Sequence, residues 1–443
     1  MGNIKKTINY LKKNGIKDTY YAVKERISQA KQENYTYAAP TAEMLSRQRE
    51  LSAGKNCIFS IIVPVYDPCP EYFCAMVDSV ISQSYPHFEL ILADAGKNED
   101  IMKHAANYQS IDKRIKYHRL AENKGISGNS NIALAYAIGD YVGLLDHDDL
   151  LTPDALYEMA SAIEIANSNK ITPGFLYSDE DKLSSDGRIY YDCHRKTKLN
   201  LDLILSNNYI CHFLVMRREM IQTLGFRPDY DGAQDYDLIL RAIETKAIVL
   251  HVDKVLYHWR SHADSTAENP QSKQYAYDAG KRAVEDFIRN RGYNGIVHHT
   301  KHLGFYQVEY LPDVFGMRPE VGIIGGKLLN KRNKITGGIY LADGTPLYNG
   351  LHKEYSGYMH RATLWQEADA IDIRAMKISP LAVAIFETAA GFPYIENLDT
   401  GRFDWRNGVT EDADFKEISL AFCKKVKKAG FTIVWDPQMI EEV

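Results

Sequence analysis

Several familiar signatures are missing from this sequence. Its six cysteines, Cys57, Cys69, Cys74, Cys193, Cys211 and Cys423, form no C-x-x-C pair and no zinc spacing. That excludes a zinc ribbon or a dithiol redox motif and points to buried thiols in a reducing cytosol. No apolar run approaches the roughly 20 residues of a membrane span, and the N-terminus has no signal-peptide apolar core. A P-loop is excluded, because G-x-x-x-x-G-K-S/T occurs nowhere. The polar, Gly-rich loop Asn123 to Asn129 is not G-x-G-x-x-G and follows the third predicted strand rather than the first, which disfavours a dinucleotide dehydrogenase. Nor is basic charge in excess: a net charge of -5 leaves no global footprint for nucleic acid.

What is present is the composition of a soluble globular protein, with 45% hydrophobic and 25% charged residues. At 443 residues the chain has room for two or three domains. The most informative stretch runs from Gly139 to Leu150. Tyr141 to Leu145 is a short apolar run of the kind a buried parallel strand needs. It breaks into Asp146, His147, Asp148 and Asp149, and Thr152 with Pro153 then reads as an N-cap and first helical position. An acidic cluster thus ends a buried strand, at the edge where open α/β sheets bind ligands. Oxygen ligands at alternate positions suit Mg2+ or Mn2+, which can bridge to phosphate oxygens. A solvated acidic turn is the alternative reading.

The surrounding segments predict β-α-β-α-β-α-β and hence a Rossmann-like, doubly wound sheet. Strands are predicted at 58–66, 88–94, 115–120 and 141–145, with helices between them. Asp94 and Asp146 both end strands and would face one crevice. Further on, 175–181 reads as a strand with a carboxylate-rich end (Asp179, Glu180, Asp181), and 208–216 as another strand. A helix is predicted to begin at Gln234-Asp235, and 248–251 and 255–260 as extended pieces. A helix from about Gln271 to Arg291 follows. Asp235 alone would read as a helix-dipole partner, and His258 alone as structural. Residues 1 to about 50 read as helical, with Ile4, Ile8, Leu11 and Ile16 among many lysines. They form either a basic arm touching an anionic membrane or a hairpin packed on the body or on another subunit. Thr41 is expected to cap a helix through Leu51.

In order, SIIVPVYD at 60–67, FELILADAG at 88–96, NKGISGNSN at 123–131, LLDHDDLL at 144–151, GFRPDYDGAQDYDLILR at 225–241 and LYHWRSH at 256–262 resemble family 2 glycosyltransferases of the A-type nucleotide-diphospho-sugar fold. The resemblance extends to the subgroup of bacterial surface polysaccharide, O-antigen and rhamnan synthesis. The resemblance implies a mixed sheet, with Pro64, Val65 and Tyr66 lining the nucleobase pocket and Asp94 at the base or ribose. Asn123, Gly125, His147 and Arg260 would also contact the nucleotide sugar. Asp146 and Asp148 would form the Asp-x-Asp metal element with His258 nearby, and Asp235 would be the base of an inverting displacement. Asp179, Glu180, Gln234, Tyr236 and Trp259 are expected on the acceptor side. The stretch Asp94-Ala95-Gly96-Lys97 departs from the family's Asp-Asp-Gly-Ser, and Ser130 stands where many relatives have Arg.

From Arg318 onward the chain resembles the acceptor-side half of a second such domain, without its nucleotide-binding half, and stops where relatives continue toward a His. Glu411, Asp412 and Asp414 are either an acidic site or a solvated helix start. The expected partition is a helical region at 1–55, a catalytic domain at 56–292 and a partial second domain at 293–443. The expected activity is sugar transfer from a UDP- or dTDP-sugar to a lipid-linked oligosaccharide. It would take place in the cytoplasm, peripheral to the inner face of the membrane, with a homodimer conceivable. The alternatives are a catalytically silent sugar-nucleotide-binding or scaffold subunit, motivated by Ala95, Lys97 and Ser130, and, more weakly, a nucleotidyltransferase.

Overall fold

The computed structural model describes residues 2–30, 35–261, 274–409 and 413–443. His262, Gln271, Glu411 and Asp412, named above, lie outside the described residues, as do the side chains of Ile4 and Ile8. The chain forms two compact units. One runs from the segment after the N-terminal helix through Leu199 and includes Asn208–Arg291; the other holds the N-terminal helix, Asn200–Asn207 and Gly292–Val443. These units cut the chain differently from the expected 1–55, 56–292 and 293–443.

The first unit is built on a nine-stranded mixed sheet. Its strands are β1 (Phe59–Val65), β2 (Phe88–Asp94), β3 (Ile115–Arg119), β4 (Tyr141–Leu144), β5 (Leu150–Leu151), β6 (Phe175–Leu183), β7 (Tyr190–His194), β8 (Leu214–Arg217) and β9 (Val249–Arg260). The order is β3-β2-β1-β4-β8-β6-β9-β5, with β7 on β6. The pairs among β3, β2, β1 and β4 are parallel, while β8 is antiparallel to both β4 and β6. β1 and β2 are apolar on both faces because helices cover both, and Ile61, Val63, Leu90 and Leu92 are fully buried. From β1 the chain winds outward through β2 and β3, then returns to place β4 on the other side of β1. That reversal opens a crevice at the carboxyl ends of β1 and β4.

Local predictions fared unevenly. Thr41 caps the helix Ala42–Ser52, accepting from the Met44 amide at 3.2 Å. Thr152 does not cap: Leu150–Leu151 pair with β9 as a short strand, so the helix starts later, at Ala155. The expected strand 208–216 shrinks to β8. The Lys196 ammonium takes the carbonyls of Ile210 and His212, so this backbone is satisfied without a strand ladder. Gly143 on β4 lets the loop pack: a Cβ there would meet Ile61 at 2.7 Å and the Phe213 ring at 3.0 Å.

The second unit has a five-stranded sheet around Val321–Leu329, which runs parallel to Thr432–Glu442 and antiparallel to Ile335–Gly337 and Met376–Ile378. Trp435, Phe386 and Phe422 fill its core. The short helix Leu201–Ser206 belongs here. Asn200 exchanges hydrogen bonds with the Glu367 backbone (2.9 Å each way), Glu367 accepts from the Leu201 amide (2.9 Å), and Asp202 pairs with buried Arg318 at 2.5 Å. Asp414 caps the helix Phe415–Lys428 through the Glu417 amide. No helix among the described residues is long and apolar enough to cross a membrane.

Candidate active site

At the carboxyl end of β4, His147 Nδ1 donates to the Pro64 carbonyl at 3.2 Å and ties that end to β1. The next carboxylates divide in role. Asp149 is buried and accepts from the Tyr257 hydroxyl at 2.5 Å and the Arg260 amide at 2.7 Å. Burial and the charges of Asp148 and Asp146 push its pKa well up. Arg260 Nε donates to the Asp148 carbonyl at 2.8 Å while its guanidinium lies over the Tyr72 ring. Anchored in this way from β9, the loop turns Asp146 outward, with 55% of its side-chain surface open. The crevice walls still raise the Asp146 pKa; His212 and His147 oppose the rise, and Asp148 and Asp235 add to it.

His212 supplies the cation of the site. Its Nε2 lies 3.9 Å from Asp146 Oδ2 and its Nδ1 lies 3.2 Å from Glu180 Oε2. The ring stacks on Tyr257, with centroids 4.6 Å apart. Burial opposes its protonation, but the hydrogen bond and charge of Glu180, with Asp146 and Asp149, outweigh it and raise the pKa to about 9. Behind it Glu180 also takes His194 (3.2 Å) and the Lys196 ammonium (3.3 Å), and is held well below the carboxylate range despite its burial.

On the helix Gln234–Glu244, two carboxylates in the first turn do different work. Asp237 is 1% exposed and clamped by Arg227 and Arg241. Asp235 is half-buried, accepts from Asn208 Nδ2 at 2.9 Å, and is close enough for its charge to act on Asp146 and on the half-buried Cys211 thiol.

Other expected site residues fall elsewhere. β6 and β9 pair with Glu180 opposite Tyr257 and Asp181 opposite His258. The pleat alternates faces, so Glu180 and Tyr257 flank His212 while Asp181 and His258 face away. His258 is therefore not beside Asp146. Its Nδ1 donates to Asp181 at 2.5 Å, and the rings of Tyr37 and Tyr190 cover it at 4.5 Å. Asp179 is 1% exposed and accepts from His251 (2.7 Å) and the Lys196 amide (2.8 Å), so neither it nor buried Glu180 and Tyr236 presents an acceptor-side surface. Val65 is core, while Pro64 is half-buried and Tyr66 is exposed. Asp94 is buried and accepts from the Gly96 amide and the Tyr117 hydroxyl at 2.8 Å each. Arg260, 4% exposed, is spent on the acidic loop. Asn123 accepts from the Gly125 amide (3.0 Å) and Asn129 (2.8 Å), and Gln234 from the Gly232 amide (2.9 Å); all three contacts shape loops. Trp259 is half-buried, its ring 5.7 Å from that of His212.

Among the described residues, the three side chains whose ligand atoms lie within 4.8 Å of one another are Asp179, His251 and Asp253. The expected set Asp146, Asp148 and His258 does not form such a group. Sequence reasoning missed His212, which sits in a run (Asn208 to Met216) that reads as a plain strand.

The family model described as "Glycosyl transferase family 2" matches residues 60–225. A protein of Sinorhizobium fredii described as "Uncharacterized protein y4gI" is 39% identical over 55% of this chain and 28% of its own length. The "O-antigen biosynthesis protein RfbC" of Myxococcus xanthus is 32% identical over 54% of this chain and 18% of its own. An "Uncharacterized glycosyltransferase" of Haemophilus influenzae is 30% identical over 44% of this chain and 75% of its own. The matches to the first two relatives thus span less than a third of those proteins' lengths.

Proposed function

Since this chain belongs to glycosyl transferase family 2, we propose that it moves a sugar from a nucleotide-diphospho-sugar, of UDP or dTDP, onto a hydroxyl of a growing, lipid-linked bacterial surface polysaccharide. The supporting observation is the outward Asp146, the His212 imidazolium and Asp235 gathered at the carboxyl edge of β1 and β4. Asp235, the less enclosed of the two carboxylates in the first turn of its helix, takes the acceptor's proton as that oxygen attacks the anomeric carbon. The bond from that carbon to the diphosphate oxygen breaks, its electron pair leaves with the diphosphate, and a single displacement inverts the centre.

The carboxylates fit a divalent cation. Enclosure raises the Asp146 pKa and the charges of Asp148 and Asp235 add to the rise, while His212 and His147 oppose it; a cation between these carboxylates would relieve their repulsion. Asp146 and Asp148 would hold Mg2+ or Mn2+, which when bound would neutralise charge on the leaving diphosphate. His212 adds fixed positive charge on the same side, and buried Asp149 with Arg260 keeps the loop from collapsing inward.

The test is a melting-point screen with UDP, dTDP, GDP and CMP, each with Mn2+ or EDTA, followed by turnover of the matching sugar nucleotide. A metal-dependent shift with one nucleotide, and turnover lost in Asp235→Asn, are expected. Binding without turnover in the unaltered protein would instead make this a silent sugar-nucleotide-binding subunit.

A further inference from the structure

The N-terminal helix carries a face that the fold leaves open. Its backbone breaks at Gly15 (φ 79°). The turns that follow pack one side against their own unit. Glu25, 7% exposed, accepts from the Ser356 and Gly357 amides at 2.9 and 2.6 Å, and Tyr21 stacks on His352 at 4.9 Å. On the other side Ile16, Tyr20, Val23 and Ile27 stand 40 to 81% exposed. They recur at intervals of four, three and four residues, so at about 100° per residue they fall in one narrow stripe.

Charge is ordered around that stripe. By the same geometry Lys17 and Lys24 border it on one flank and Arg26 on the other. Asp18 and Glu25, the acidic residues in this helix, lie on the side that packs inward. The first 30 residues hold seven basic and two acidic side chains in a chain whose net charge is -5. Lys24 leans along the stripe, its ammonium 5.5 Å from the Tyr20 ring centroid, and Lys17 reaches back to Glu354 at 2.7 Å.

We infer that this face docks on an anionic lipid bilayer, the apolar stripe entering the interface and the flanking cations meeting headgroup phosphates. A second copy of the chain fits less well. A two-fold contact would set Lys24 and Arg26 against their own equivalents, and four side chains fall far short of the roughly 1,200 Å² that a stable interface buries. The inference stands apart from the transfer reaction, because the residues that carry it belong to the other compact unit.

The experiment is co-sedimentation of the full chain with vesicles of phosphatidylcholine containing phosphatidylglycerol, against phosphatidylcholine alone. The unaltered protein should sediment with the anionic vesicles and lose that binding as salt rises. Tyr20→Ser with Ile27→Ser, and separately Lys24→Gln with Arg26→Gln, should each weaken partitioning about tenfold. Val23→Trp should strengthen it, a gain that misfolding would not give in a lipid-selective form. Leu398→Ser, which removes a 94%-exposed apolar side chain elsewhere in the same unit, should bind as the parent does. Nucleotide affinity should be the same in all of these proteins, so loss of that affinity in the parent would bear on the transfer reaction alone. Equal binding to neutral vesicles, or unchanged binding in both double variants, would overturn the inference. So would a self-association that the serine pair abolishes in a protein that ignores vesicles.

Discussion

His212 Nε2 stands 3.9 Å from Asp146 Oδ2 while its other ring nitrogen is held by Glu180. The ring therefore cannot swing away without breaking a buried contact, and its charge is fixed where the acidic loop opens. Glu180 is in turn neutralised by Lys196. The arrangement is a chain of alternating charge running from the core to the crevice.

His212→Gln should keep the shape but remove the cation. We expect kcat/KM to fall about ten- to a hundredfold, less than the roughly 10²–10³ of a preorganised donor in a closed site, because the neighbouring Asp146 is half open to water. The imidazole should titrate near its raised pKa of about 9, visible by NMR. The sign of the stability effect follows. A histidine whose folded pKa lies above its ordinary value of 6.5 stabilises fully below that value, and the contribution is lost as pH rises through about 9. The Gln variant should lack that loss on the alkaline side.

Asp235→Asn and Asp237→Asn should part company although they lie two residues apart. The first should lower turnover about 10²- to 10⁴-fold with little change in melting point, because it gives up one hydrogen bond from Asn208. The second removes the buried charge that Arg227 and Arg241 share; Arg227 keeps Asp286 and Arg241 keeps the Leu224 and Gly225 carbonyls, so the loss should fall below the roughly 3–5 kcal/mol of a fully broken buried pair. Its melting point should drop, while nucleotide affinity per folded molecule should hold. Thermal melts beside sugar-nucleotide turnover separate the two.

Asp146→Asn should abolish the Mn2+-dependent part of the nucleotide-induced melting shift. His258→Gln should leave that part intact and lower stability instead, since it weakens the buried contact with Asp181. Metal-dependent nucleotide binding lost in the His258 variant would contradict the face assigned to this ring by the β6–β9 register.

Much of this was legible in the sequence, for identifiable reasons. β1, β2 and β4 are apolar on both faces and end in turns or carboxylates, so both their existence and the crevice at their ends could be read from periodicity. The division of labour among neighbouring carboxylates could not. Asp146 and Asp149 differ because the Tyr257 hydroxyl and the Arg260 amide donate to the carboxylate of Asp149 while Tyr257 meets only the backbone amide of Asp146, and that depends on a strand more than 100 residues away. His258 was misplaced because its face depends on pairing register, which a single strand does not reveal. His212 was missed because its apolar neighbours imitate a strand, and a lysine ammonium satisfies the backbone that the ladder would have paired. The helix Leu201–Ser206 joins the second unit through Asn200 and Glu367, a pairing across 167 positions that no local pattern announces.

Glu367 offers a test of that second unit without any substrate. Burial raises its pKa, Asp202 adds to the rise, and Arg318 opposes it, leaving a value of about 7. The ordinary glutamate value is 4.5, so between the two the folded chain binds more protons than the unfolded chain and stability must fall as pH rises. The benefit of the protonated carboxyl is complete below the lower value and gone above the higher one. Glu367→Gln removes the titration, and its amide oxygen can still accept from the Leu201 amide as Oε1 does now at 2.9 Å. The variant should therefore melt close to the parent at about pH 5 and above it at about pH 8, a divergence that differential scanning calorimetry would read directly. Parallel melting curves across that range would mean that the Glu367 carboxyl is already ionised in the fold, and that the Asp202–Arg318 pair governs the packing of this helix alone.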